Sequence, residues 1–173
     1  GSPLVYFTAR RRGARILVWA IRPRRAQFQP GMGAGSSIGL TRLDSVGLQR
    51  VRALIPANKN PFYHFNRAII SIDTLKNDGK FRHYLEQCHW DAIVIDECHN
   101  VANADTQRSR VASLLANTCD ALILTSATPH NGRPESFANL MNMLDPTAIA
   151  DPSNYTADEI EGLYMRRFKK DVE

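Results

Sequence analysis

The stretch Asp91–Asn100, DAIVIDECHN, constrains this chain more than any other, because it runs from a short apolar segment straight into two adjacent acids. A strand buried on both faces of a parallel sheet reads as a near-continuous apolar run, and Ile93–Ile95 supplies one. In open α/β sheets ligands gather at the carboxyl ends of strands. Asp96 and Glu97 would therefore emerge where a ligand sits. Asp96 is placed to hold Mg²⁺, directly or through water, and Glu97 to orient or deprotonate a water that attacks a phosphate. Further along, Leu122–Gly132, LILTSATPHNG, is a second apolar run that ends in Thr125, Ser126 and Thr128. Acids at a strand end also commonly cap the next helix. The coincidence of two such strands, in order, favours a nucleoside-triphosphate site over that simpler reading.

The rest of the chain alternates strand and helix patterns. Ala14–Ile21, Ile38–Leu43, Ala68–Ile72, Ala92–Ile95 and Ala121–Thr125 read as strands. Asp44 or Ser45 can cap a helix whose apolar face is Leu48, Val51, Leu54 and Ile55, ended by Pro56. Asn58–Phe65 reads as a loop. Lys80–Cys88, Thr106–Asn117 (Val111, Leu114 and Leu115 inward) and Pro134–Leu144 (Phe137, Leu140, Met141 and Leu144 inward) read as helices, with a last one over Ala157–Arg167. This order predicts an α/β fold with a mainly parallel sheet and helices on both faces. Ala148–Ser153 is the one candidate linker. Asn131 is expected to cap the helix that starts at Pro134, and His130 to line the cleft or cap beside it.

The motifs resemble those of superfamily 2 helicases and translocases. Asp96–His99, DECH, is similar to their motif II, a DECH box, and Thr125–Thr128, TSAT, to motif III. The phrase LTSATPHNG is closest to the Swi/Snf-type translocases, especially RapA-like members and helicase-like proteins of phage defence. AIISIDTL (Ala68–Leu75) resembles motif Ib, ARILVWAIRP with AQFQ (Ala14–Gln29) a diverged motif Ia, and LYMRRFKKDV (Leu163–Val172) the basic segment closing the first lobe. The resemblance implies a RecA-like ATP-binding lobe over residues 3–173. It implies ATP and Mg²⁺ as cofactors, with Asp96 holding the metal, Glu97 the attacking water, and His99 reporting nucleotide state. Thr125, Ser126, Ala127 and Thr128 would couple hydrolysis to nucleic-acid contact. Ser71, Asp73 and Thr74 would touch the phosphates of the tracked strand, Thr74 foremost as a hydroxyl donor. Duplex DNA is the implied partner, together with a second RecA-like lobe.

One departure from the pattern matters. A P-loop, G-x-x-x-x-G-K-[ST], cradles phosphates with backbone N–H groups and a Lys, and these 173 residues contain none. The only Gly-Lys pair, Gly79-Lys80, is followed by Phe81, and the glycine-rich Gly31–Ser37 carries no Lys. Motif I is accordingly expected ahead of this stretch and the arginine fingers of the second lobe after it. The 173 residues alone are expected to bind nucleotide weakly or not at all, and to be inactive.

At 43% hydrophobic the chain can bury the core of a single domain. It shows no apolar run long enough to span a bilayer and no signal peptide, and Gly1-Ser2 reads as a tag-cleavage remnant. A cytoplasmic protein without membrane contact is the expectation. Cys88, Cys98 and Cys119 lack metal-site spacing, and reduced thiols are preferred over zinc from the two Cys-His pairs. A net charge of +5 is spread unevenly. Arg10–Arg12, Arg15, Arg22, Arg24 and Arg25 crowd one end and Arg166, Arg167, Lys169 and Lys170 the other. These clusters fit either phosphate contact or solvated faces. Two other functions stay open: a nucleic-acid-binding or protein-interaction module that kept the fold without the ATPase, and an unrelated Mg²⁺-dependent phosphohydrolase built on Asp96 and Glu97.

Overall fold

The computed structural model describes residues 14–20, 40–71, 74, 79–103, 106–126 and 133–156. Five strands form one sheet: β1 (Ile16–Ala20), β2 (Thr41–Leu43), β3 (Arg67–Ser71), β4 (Trp90–Ile95) and β5 (Cys119–Leu124). Every pairing is parallel and the spatial order is β2-β3-β1-β4-β5. Among the described residues, four helices connect or follow the strands: α1 (Ser45–Leu54), α2 (Gly79–Glu86), α3 (Gln107–Ala116) and α4 (Pro134–Leu144).

The strand register explains why the central strands are apolar throughout. Leu43, Ile70, Trp19, Ile95 and Leu124 are aligned across the sheet, and so are Ala68, Leu17, Ile93 and Leu122. Both rows face the main core. There they meet Leu48 of α1, Phe81 and Leu85 of α2, Val111, Ala112 and Leu115 of α3, and Phe137, Leu140 and Met141 of α4. The intervening row, Ile69, Val18, Val94 and Ile123, lies on the opposite face in a second cluster with Ile16 and Ala92. Successive side chains alternate between faces, so a strand buried on both must be apolar at every position. All four described helices pack on the first face.

The helix boundaries follow their capping chemistry. The Asp44 carboxylate accepts from the Gly47 N–H and caps α1, while the Thr106 hydroxyl accepts from the Ser109 N–H and caps α3. The cap position of α4 is Arg133, which makes no side-chain cap bond. Asn131 and His130, expected at that cap or in the cleft, lie outside the described residues, as does the 157–167 helix. Three expectations change. Leu54 is 82% exposed rather than inward. It sits six residues after Leu48, about 120° round a helix that turns 100° per residue, so it falls off the stripe. The segment 58–65 is not plain loop: Pro61–His64 forms a short 3-10 helix with Phe62 buried in the core. Ala148–Ser153 is not a linker. Ile149 is buried, and the Asn142 side chain bonds its N–H at 3.0 Å and its carbonyl at 3.2 Å.

Candidate nucleotide site at the carboxyl edge of the sheet

The chain leaves β1 toward β2 and β3 on one side, then crosses over to β4 and β5 on the other. The direction of winding therefore reverses between β1 and β4. In open parallel sheets the crevice outside the carboxyl ends at such a point is where ligands bind. β4 delivers Asp96 and Glu97 to this place. The Asp96 N–H donates to the Trp19 carbonyl at 3.0 Å, which ties the end of β4 to β1.

The end of β5 is fastened to the same spot. The Thr125 N–H donates to the Ile95 carbonyl at 3.0 Å, and the Cys98 N–H donates to the Thr125 carbonyl at 2.9 Å. Two side-chain bonds add to this backbone lacing. The Thr125 hydroxyl donates to Asp96 Oδ1 at 2.7 Å, and His99 Nδ1 lies 2.9 Å from Ser126 Oγ. The two sequence motifs, nearly thirty positions apart, thus meet as one cluster.

Local geometry separates the two acids. Glu97 has φ 49° and ψ 48°, the one positive φ at a non-glycine among the described residues. Left-handed backbone at a residue with a side chain costs about 1–2 kcal/mol and concentrates at functional sites. The turn breaks the strand, leaves Glu97 exposed and starts a short 3-10 helix, Cys98–Val101. Cys98 and Val101 are buried and pin that helix to the core. Burial, together with the nearby Asp96 charge, pushes the Cys98 thiol up to about 11, against bonds from the backbone and Ser126 that lower it. It stays a protonated thiol at neutral pH and is no nucleophile.

Asp96 suits Mg²⁺. This ion takes oxygen ligands, commonly one or two carboxylates, and fills its octahedron with water and phosphate oxygens. Thr125 orients one Asp96 oxygen, and an ionised carboxylate keeps further acceptor positions beyond that bond.

Of the other residues marked by the sequence, Ser71 ends β3 opposite Ala20 of β1, on the same edge as Asp96 and half-buried. Two inter-strand spacings separate β3 from β4, about 10 Å. Thr74 is also half-buried. Asp73, Ala127 and Thr128 lie outside the described residues, as do both basic clusters except Arg15. Arg15 is not a phosphate contact. Its guanidinium donates to the carbonyls of Phe62 (3.0 Å), Phe65 (3.1 Å) and His89 (3.3 Å), at the opposite edge of the sheet. Asn100 was not singled out from the sequence, yet its side-chain amide reaches both the Glu97 carbonyl (2.9 Å) and His99 Nε2 (3.2 Å). The signal was there: Asn is a turn former that bonds nearby backbone, and this one lies just past the acids.

Comparison with known proteins agrees with this fold. The SNF2-related domain model matches residues 41–161. The RNA polymerase-associated protein RapA of Pseudomonas putida (strain GB-1) is 32% identical over 103 residues, 57% of this chain and 11% of that protein. RapA of Sodalis glossinidius (strain morsitans) is 33% identical over 104 residues, 58% of this chain and 10% of that one. The chain thus spans about a tenth of the length of these relatives. Among solved structures, the Sulfolobus solfataricus SWI2/SNF2 ATPase core in complex with dsDNA matches with a TM-score of 0.56 at 18% identity. That match covers 86% of this chain and 29% of the other, and it shows a shared fold.

Proposed function

The chain belongs to the SNF2-related domain family, and on that premise we propose that it is part of the first ATPase lobe of a nucleic-acid translocase. The observation that carries this reading is the 2.7 Å bond from the Thr125 hydroxyl to the Asp96 carboxylate, at the point where the sheet reverses its winding. It joins the acid that follows β4 to the strand end that carries the hydroxyls. Relatives contribute by analogy: one neighbour in structure is an ATPase core bound to dsDNA, and the RapA proteins associate with RNA polymerase.

In this reading Asp96 holds the Mg²⁺ that accompanies ATP, and that ion neutralises charge on the phosphates when bound. Thr125 keeps the carboxylate in one orientation, so little reorganisation is needed as the site fills. Glu97, carried outward by its left-handed turn, orients the attacking water and accepts its proton. The bond between His99 and Ser126 registers the first motif against the second. Ser71, Asp73 and Thr74 contact the phosphate backbone of the nucleic acid, with Thr128 completing the coupling motif. Such contacts track a backbone and do not read bases. The 173 residues hold no G-x-x-x-x-G-K-[ST], so no residue here is assigned to a phosphate loop or to the arginine fingers. The partner we propose is duplex DNA and the location the cytoplasm, where unpaired cysteines such as these three persist. No described helix is long and apolar enough to cross a membrane.

The test is turnover. A longer protein that joins this chain to a phosphate loop and a second lobe should hydrolyse ATP faster with duplex DNA present. Asp96→Ala should lower that rate by a factor on the order of 10²–10³. The 173 residues alone should not turn ATP over. Turnover by them, lost in Asp96→Ala, would instead make the chain a self-contained phosphohydrolase. A longer protein that binds DNA but never hydrolyses ATP would make it a binding module.

A further inference from the structure

Asn100 sits one residue beyond the DECH motif, half-buried, and its amide nitrogen is bonded twice. Nδ2 lies 2.9 Å from the Glu97 carbonyl and 3.2 Å from His99 Nε2. The amide nitrogen carries two hydrogens and no free acceptor. Both contacts are therefore donations, and His99 Nε2 must be the unprotonated ring nitrogen. In a neutral imidazole the proton then belongs to Nδ1, which is 2.9 Å from Ser126 Oγ. That bond accordingly runs from histidine to serine. The donors line up in one direction: Asn100 to His99, then His99 to Ser126.

The other amide hydrogen acts on the backbone. The Glu97 carbonyl also accepts the Asn100 N–H at 3.1 Å, so both the main chain and the side chain of Asn100 close the turn at Glu97. That residue holds the one left-handed non-glycine backbone described, and such strain persists only where surrounding contacts over-determine it.

We infer that Asn100 is a positioning residue of this site: one amide hydrogen holds Glu97 in its left-handed turn, and the other fixes His99 as the Nδ1–H tautomer that donates to Ser126. This rests on the reading of Asp96–His99 and Thr125–Ser126 as the working site. Asn100 touches no phosphate or water in the mechanism. It acts through the acid and the histidine beside it.

The ring can be read directly by ¹⁵N NMR of the 173-residue protein, at a pH where His99 is neutral. The wild type should show a protonated Nδ1 and an unprotonated Nε2. Asn100→Asp replaces the donor with an acceptor and should move the proton to Nε2. Asn100→Ala should give a mixture of tautomers and shift the Glu97 ¹³Cα resonance away from its left-handed value. Ser126→Ala should keep Nδ1–H, because Asn100 and not Ser126 sets it. A wild-type ring protonated on Nε2, or an Nδ1–H unchanged in Asn100→Asp, would overturn the inference. If the Asp variant does not fold, wild type and Ser126→Ala still decide, since loss of the Nδ1 proton in the latter would also refute it. These signals need neither nucleotide nor DNA. A failed tautomer prediction leaves the translocase reading intact, and a failed ATPase test leaves the position of the ring proton where it was found.

Discussion

The two edges of the sheet put polar groups to opposite uses. At the amino edge, the Arg15 guanidinium has three backbone carbonyls and the Cys88 sulfur as acceptors. It also lies over the rings of Tyr63 at 4.7 Å and Trp90 at 4.5 Å. Its own N–H donates to Asp91 at 2.7 Å, so one residue ties the entrances of β1, β3 and β4. At the carboxyl edge the acids are left half-buried or exposed, Asp96 with a hydroxyl donor and Glu97 on strained backbone. A saturated charge stabilises a fold but has nothing left for a ligand. A partly satisfied one contributes little to folding and keeps its capacity for chemistry.

The largest expected effect on stability follows from this contrast. Arg15→Ala should destabilise the protein by about 3 kcal/mol. It strips charged-donor bonds, worth roughly 1.5–3 kcal/mol net, and two ring contacts worth about 0.5–2 kcal/mol each, with partial replacement by water. Arg15→Lys should recover only part of the loss, because an ammonium lacks the planar fork of five donors that reaches several carbonyls while lying over a ring. Asp96→Ala should change stability by no more than about 1 kcal/mol. Urea unfolding of both variants checks the pair. Equal losses would erase the division between a structural and a chemical edge.

The strain at the carboxyl edge gives a smaller effect of opposite sign. Glu97→Gly should stabilise the protein by up to about 1 kcal/mol, since glycine adopts positive φ without steric cost, though its freer unfolded chain offsets part of the gain. The same change removes the carboxylate proposed to orient water, so in a longer, ATP-hydrolysing protein it should raise the melting temperature while lowering turnover. A loss of stability here would mean that Glu97 makes contacts that outweigh its backbone.

The two edges were not equally legible. The carboxyl edge was largely readable, because acids and hydroxyls at the ends of apolar runs are out of place in a core and so announce themselves. The strands were readable for the same reason: burial on both faces forces unbroken apolar runs such as Ile93–Ile95. What the pattern could not show was contact made by rotation or by backbone. Nothing in a one-dimensional period reports that Glu97 turns left-handed, or that Asn100 folds back on it. The amino edge was misread. Arg15 looked like one more member of a basic run with Arg10–Arg12, but it abuts the buried strand Ile16–Ala20, and an arginine so placed must satisfy its donors within the protein. Phe62, in a segment that read as loop, is the core residue whose backbone Arg15 needs. Its burial depends on a short 3-10 turn too brief to carry a periodic signature.

The smallest expected effect tests whether the stability of the amino edge is specific to Arg15. In a parallel sheet the connecting helix runs back from the carboxyl to the amino edge, so Leu54 at the end of α1 shares that end of the molecule with Arg15. Apolar pattern alone would put it in the core, yet it is 82% exposed. Burial, not hydrophobicity, sets what a side chain contributes, because transfer free energy scales with area removed from water. Leu54→Ser should therefore shift unfolding by less than about 0.5 kcal/mol, as surface substitutions usually do, while Arg15→Ala in the same edge costs several times more. A loss of 2 kcal/mol or more in the urea curve of Leu54→Ser would place Leu54 in a packed interface and spread the stabilising role of this edge well beyond a single guanidinium.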